Sequence, residues 1–278
     1  MPKSLPEETH RLTEDLLKLL ENGSSNDLTI ILEDGELRAN KDILMARCPY
    51  FATMLNNQNF VESKTNTIKM MTGDKETMMR VLRYIFSGDI EALSNGLSLY
   101  HLIKLMDLSR LLLLDQAFFK AEQKTFKVID NINKDHENNE EILKFYEDEA
   151  WYVGVVESLK LCHELKLEEV FQMCLDVLCK HVGMILRSQV EREDFKTIPC
   201  LILKAFLENP VGNLADKVDA FKDWFNSNEE RMEKEEKIEI LKYQLELVSS
   251  SLKKQCDQCG QHECINEAND NQDQLNNS

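Results

Sequence analysis

The run CDQCGQHEC brings Cys256, Cys259, His262 and Cys264 within nine residues, the set of side chains here that most resembles a reactive or metal-binding group. Cys-x-x-Cys followed by His and Cys supplies soft ligands of the kind zinc takes, but structural zinc sites draw their second pair from farther along the chain than this tight loop allows. The reading therefore favours a thiol-rich tail without metal, and no cofactor is expected. Elsewhere the six histidines are scattered, and His163 and His181 fall in apolar helical patterns where a core or boundary histidine is the ordinary case. No glycine-rich phosphate loop and no HExxH motif occurs, and the many carboxylates lie on charged helix faces. No catalytic constellation is recognised, so an enzyme is not expected.

A second short run, Phe60-Val61-Glu62, sets a large aromatic among polar residues just after an apolar stretch. Phe60 is either the last residue of a core or an exposed anchor that fills a partner's pocket while Glu62 fixes its orientation. Both readings stand on the residues alone.

These runs sit in a chain of 278 residues with net charge −17, 42% hydrophobic and 30% charged. That length can bury a substantial core and holds two modest domains. The negative balance argues against nucleic acid, whose recognition needs clustered lysine and arginine. No apolar run approaches the roughly 20 residues of a membrane span, and MPKSLPEETHR lacks the apolar stretch of a secretory signal. The cytoplasm is the expected location, with the nucleus left open. Cys48, Cys162, Cys174, Cys179 and Cys200 lie in apolar patterns and read as core thiols.

The elements that must position Phe60 follow from periodicity. Residues 8–21 carry Leu12, Leu16, Leu17, Leu19 and Leu20 on an amphipathic helix, closed by the turn formers of 22–27. LTIIL (28–32) and ELRAN (36–40) read as strands around an Asp-Gly hairpin signal. KDILMARCPYFATMLNN has helical spacing, but Pro49 predicts two short helices meeting near Cys48. A third strand is expected over 66–71, then a helix with Asp74 as N-cap and Gly88 as its stop. Two more helices are expected between Leu97 and Ile129. Residues 130–149, with eight acidic side chains against Lys134 and Lys144, read as a solvated linker or an exposed first turn. Helical patterns resume at Trp151 and continue past Phe225. Ile238, Leu241, Leu245, Val248 and Leu252 follow a 3-4 spacing too short for a firm coiled coil, and residues 265–278 are asparagine-rich and expected to be disordered.

This order, with Asp27 opening the first strand, Ala39-Asn40-Lys41 before Ile43-Leu44, Arg47-Cys48-Pro49-Tyr50-Phe51 before Met54-Leu55, then Glu62-Ser63 and Tyr84-Ile85-Phe86-Ser87-Gly88, resembles the BTB/POZ fold. KLCHELKLEEVFQMCLDVLCKHV and the later AFKDWF resemble a BACK domain, and the pairing is most similar to the BTB/POZ domain-containing protein 9 type. The resemblance implies an α+β BTB/POZ domain, helices around a small sheet, followed by an all-α BACK domain. In residue terms it implies an N-terminal dimerisation helix (1–22), the BTB/POZ domain (23–129), the acidic linker (130–149), a BACK-like domain (150–254) and a disordered Cys/Asn-rich tail (255–278).

It further implies a homodimer whose interface uses Leu12, Leu16 and Leu20, with Asp27 and Lys41 lining a charged pocket; a solvated surface pair is the alternative for those two. Phe60 and Glu62 match the apolar-x-Glu motif of cullin-3-binding BTB domains. The implied function is a substrate-recruiting adaptor of a cullin-3-type ubiquitin ligase with an unidentified target, and the alternative is a dimeric scaffold that recruits no ligase. Asn40 stands where the family usually has histidine, which puts any contact of that imidazole in doubt. No kelch repeat, MATH-like domain, zinc-finger array or C-terminal jelly roll is recognised to read a target.

Overall fold

The first strand, β1 (Leu28–Leu32), is a run of branched residues that buries every second side chain, Leu28, Ile30 and Leu32. In a computed structural model, which describes residues 5–23, 25–138, 154–187, 189–232 and the positions 237, 238, 240–242 and 249, β1 is the centre of a three-stranded sheet of order β2-β1-β3. β2 (Gly35–Ala39) pairs with it antiparallel, Leu32 opposite Gly35, so the hairpin turns through Glu33 and Asp34. β3 (Thr67–Lys69) pairs with it parallel, Thr29 opposite Thr67 and Ile30 opposite Ile68. The backbone amides of Thr29 and Met70 extend this short ladder by donating to the carbonyls of Asn66 (3.0 Å) and Ile31 (2.9 Å).

A parallel pair needs a crossover, and α2 (Lys41–Arg47), α3 (Pro49–Asn56) and α4 (Val61–Thr65) supply it. Pro49 opens α3, where its missing N–H costs nothing, and Cys48 stands extended between the two helices, as the proline predicts. Ahead of the sheet, α1 (Leu5–Asn22) packs on α5 (Lys75–Ser87). Asp74 caps α5 by accepting from the Thr77 amide at 2.8 Å, and Gly88 ends it at a φ of +75°, donating to the Tyr84 carbonyl at 2.7 Å. Leu28, Ile30, Leu44, Phe51, Ile68, Met78, Leu82 and Phe86 form the core between sheet and helices.

After the short α6 (Ile90–Ser94), α7 (Leu99–Leu111) and α8 (Asp115–Asn138) make a tight helical hairpin. α8 runs into the stretch 130–149 expected as a linker. Its buried seam of Ala117, Ala121, Thr125, Ile129 and Ile132 keeps helical spacing, so the exposed Asp130 and Asn131 occupy the outer face of a continuing helix. α9 (Val155–Leu165) packs on α7, and α10 (Glu168–Ile185) leaves helical geometry at His181.

The chain divides into two compact units, Met1–Cys174 and Leu175–Ser278, a division that falls inside the 150–254 stretch assigned from sequence to one helical domain. The second unit contains α11 (Gln189–Lys196), α12 (Cys200–Glu208) and α13 (Leu214–Asn228). Phe195, Ile202, Phe206, Phe221 and Trp224 are its core, and the Trp224 indole donates to the Ile198 carbonyl at 3.0 Å. Among the described residues no helix is long and apolar enough to cross a membrane.

Gly212 joins α12 to α13 at a φ of +92°, and a Cβ there would lie 1.8 Å from the Cys179 carbonyl oxygen. Gly212→Ala is expected to destabilise the second unit by about 2–3 kcal/mol through backbone strain and the forced shift. Urea unfolding followed by tryptophan fluorescence measures the loss.

Candidate protein-interaction site

Phe60 ends the turn that follows α3. Its backbone N–H donates to the Asn57 carbonyl at 3.0 Å, and it stands extended as the N-cap of α4. The Ser63 hydroxyl donates back to the Phe60 carbonyl at 2.8 Å, so the backbone of the motif is held within its own turn. Phe60 is half-buried, Val61 is 67% exposed and Glu62 is half-buried. The ring is therefore neither in the core nor free of it. Glu62 faces Tyr50, whose hydroxyl is pushed above its ordinary pKa by burial first and then by the Glu62 carboxylate. Tyr50 in turn meets Phe51 edge-on at 5.4 Å, which links the motif to a fully buried ring.

Asp27 and Lys41 do come together, but through a backbone group. The Lys41 amide, first in α2, donates to Asp27 Oδ1 at 2.8 Å, while the Lys41 ammonium donates to Asn66 Oδ1 at 2.8 Å. A carboxylate on the first amide of a helix satisfies a donor that no helical carbonyl reaches. Asn40, standing where histidine was expected, caps the same helix by accepting from the Ile43 amide at 3.0 Å, and its Nδ2 donates to the Ser25 carbonyl at 3.0 Å. A residue overlooked in the sequence lies beneath them. The buried Asn26 donates through Nδ2 to the carbonyls of Leu20 (3.0 Å) and Arg38 (3.1 Å), tying the end of α1 to β2, while the Arg38 guanidinium donates to the Asn26 carbonyl. Its only sequence signal is an asparagine in a turn-rich run, which many exposed loops share.

The leucines of α1 separate. Leu20 is only 4% exposed within the single chain, so it belongs to the domain's own core. Leu16 and Leu17 are half-buried, whereas Leu12 is 60% exposed and Leu19 is exposed. α1 is fastened to α5 by the Thr13 hydroxyl on the Ser87 carbonyl and by an exposed ion pair between Arg83 and Glu21 at 3.3 Å.

At the other end of the sheet Asp74 receives the Thr77 amide and hydroxyl and lies 3.3 Å from Lys104. Burial acts to raise its pKa, but those hydrogen bonds and the ammonium outweigh it and hold the carboxyl below its ordinary value.

His163 is exposed beside Phe171, and His181 is buried. Cys48, Cys162, Cys174 and Cys179 are buried; burial pushes the Cys179 thiol up to about 12, against the opposing pull of Lys217. Cys256, Cys259, His262 and Cys264 lie outside the described residues, as do the asparagine-rich stretch and most of the 3-4 leucine pattern. Among the described residues no group of three or more His, Cys, Asp or Glu is placed to hold a metal.

A small mixed sheet is wrapped by helices, with a turn at Phe60 and an amphipathic helix, α1, packed on α5. The BTB/POZ domain family model matches residues 16–124, and that segment is a BTB/POZ domain. Human Rho-related BTB domain-containing protein 2 is 32% identical over 108 residues, 35% of this chain and 15% of that protein. Mouse TD and POZ domain-containing protein 3 is 35% identical over 79 residues, 28% of this chain and 21% of that protein. Human Kelch-like protein 3 is 31% identical over 85 residues, 29% of this chain and 14% of that protein. The likeness thus spans about a fifth or less of each of these relatives and is confined to about a third of this chain.

Two predictions follow from these contacts. If the chain pairs through α1, Leu12→Asp with Leu16→Asp should halve the mass read in light scattering, with the fold checked by circular dichroism. A group whose folded pKa is depressed contributes stability above its unfolded value, near 4, and loses it as pH falls through the folded value. Asp74→Asn should therefore flatten the fall in stability between about pH 4 and pH 2, measured by melting across that range.

Proposed function

We propose that the chain is a dimeric BTB-BACK adaptor of the cytoplasm or nucleus that docks on a cullin-3-type scaffold through Phe60 and Glu62 and brings a bound target protein to the ligase. The observation that carries the reading is the turn at 57–62, where a half-covered aromatic and a half-covered carboxylate stand beside an exposed Val61 on a backbone closed by its own hydrogen bonds. A rigid turn loses little entropy on binding, and a ring with one face open can complete its burial in a partner's pocket. Kelch-like protein 3 appears among the similar proteins, which adds weight from its BTB segment alone. The helices from α9 to α13 support a BACK-like companion spanning 150–254, in a pairing of the BTB/POZ domain-containing protein 9 type. A dimer would present two targets or one target twice, raising effective concentration by proximity.

A second reading is a dimeric scaffold that recruits no ligase. What favours it is that Phe60 already spends part of its surface inside its own domain, leaving less to give a partner.

Phe60→Ala separates them. The adaptor reading expects a loss of about 2 kcal/mol or more in binding the amino-terminal region of cullin-3, with a stability cost near 1 kcal/mol from the half-buried ring. Glu62→Ala should weaken binding less. Calorimetric titration and melting on the same proteins decide, and a wild-type chain that binds no cullin-3, or a Phe60→Ala variant that unfolds, supports the scaffold.

A further inference from the structure

We propose that the cleft between the β1–β2 turn, the loop entering α5 and the facing sides of α7 and α9 docks a short basic segment of a partner protein, one apolar side chain flanked by arginine or lysine. This inference goes beyond the adaptor reading and stands whether or not the chain binds a cullin. The cleft, about 390 Å³, is lined by Met71, Leu161 and Leu165 together with Glu33, Asp107 and Glu164 among its carboxylates.

Met71 is 81% exposed, and its loop is fixed on both sides. The Met70 amide donates to the Ile31 carbonyl at 2.9 Å, and Asp74 caps α5. Between them Gly73 sits at a φ of +88°, where a Cβ would press on Leu108 at 3.4 Å. A large apolar side chain held into solvent by a rigid loop, next to the half-buried Leu161 and Leu165, offers area that a partner's apolar side chain would cover.

The charges select that partner. Lys104, the cleft's ammonium, is already engaged by Asp74 at 3.3 Å and lies 4.4 Å over the Tyr100 ring. Asp107 pairs with Arg110 at 3.0 Å, and Asp34 accepts the Lys75 amide at 2.9 and 3.0 Å. Glu33 and Glu164 are exposed, and among the described residues no hydrogen bond or ion pair engages either. The cleft therefore presents two uncommitted carboxylates, Glu33 on the hairpin turn and Glu164 on α9, beside the apolar side chains of Met71, Leu161 and Leu165. Such a field attracts cationic side chains and repels phosphate-bearing partners. An apolar residue between basic ones would seat on Met71, Leu161 and Leu165 while its neighbours reach Glu33 and Glu164.

The test is fluorescence anisotropy on the intact chain with a fluorescein-labelled peptide holding one leucine between two pairs of arginines. Two control peptides replace the leucine by glycine or the arginines by glutamate. The leucine-arginine peptide should bind on the order of micromolar. Glu33→Gln with Glu164→Gln should weaken it on the order of tenfold, and Met71→Ser should weaken it as well, with melting unchanged for both variants. The glycine peptide should bind less tightly and the glutamate peptide should not bind. Absence of binding up to millimolar concentration overturns the proposal. Equal binding of the leucine and glycine peptides, or indifference to either variant, also overturns it, by reducing the contact to diffuse charge attraction.

Discussion

The first unit depends on a short parallel pairing, Thr29 to Ile31 of β1 against Thr67 to Lys69 of β3. Parallel strands cannot be joined by a tight turn, so everything between the hairpin and β3 must travel across the sheet as helices. That journey sends the chain through α2, α3 and α4, and it sets the Phe60 turn just before β3, where Asn66 ends α4 in a left-handed conformation and passes the chain into that strand. Ile30 and Ile68, opposite one another and buried, anchor the pairing in the core. Without that register the turn at 57–62 would have no fixed relation to Asp27 and Lys41.

Around this pairing, small polar residues settle the ends of helices, and Asp74 pairs with Lys104 besides. Asp27 and Asn40 serve the start of α2, Asp74 the start of α5, Asp89 that of α6 and Ser98 that of α7. Each cap is worth of the order of 1 kcal/mol, more than most exposed ion pairs contribute. The acidic composition is thus partly consumed within the fold, and the carboxylates left over, Glu33 and Glu164 among them, are the ones available to a partner.

Local chemistry was legible in the sequence and tertiary cover was not. Pro49 announced the break between α2 and α3, Asp74 and Gly88 announced both ends of α5, and the Asp-Gly turn between two strand-like runs announced β1 and β2, because each signal acts within a few residues of itself. The leucines of α1 announced an apolar stripe but not what lies on it: Leu20 is buried by its own domain while Leu12 is open. The polar run after Ile129 hid a continuing helix because the buried seam of α8, from Ala117 to Ile132, carries only about one residue per turn. Asp27 and Lys41 were recognised as neighbours, yet the group that Asp27 binds is a backbone amide, which no side-chain pattern encodes. The half-burial of Phe60 likewise depends on where α3 and its turn come to rest, not on spacing.

The central claim, a BTB/POZ module that dimerises and docks a cullin-type scaffold, is tested most directly by sedimentation velocity of the wild-type chain alone and mixed with the purified amino-terminal region of cullin-3. The account predicts a dimer at micromolar concentration that moves into a heavier complex when the scaffold is added. A chain that sediments as a monomer, or a dimer whose boundary is unchanged by the scaffold, would contradict it.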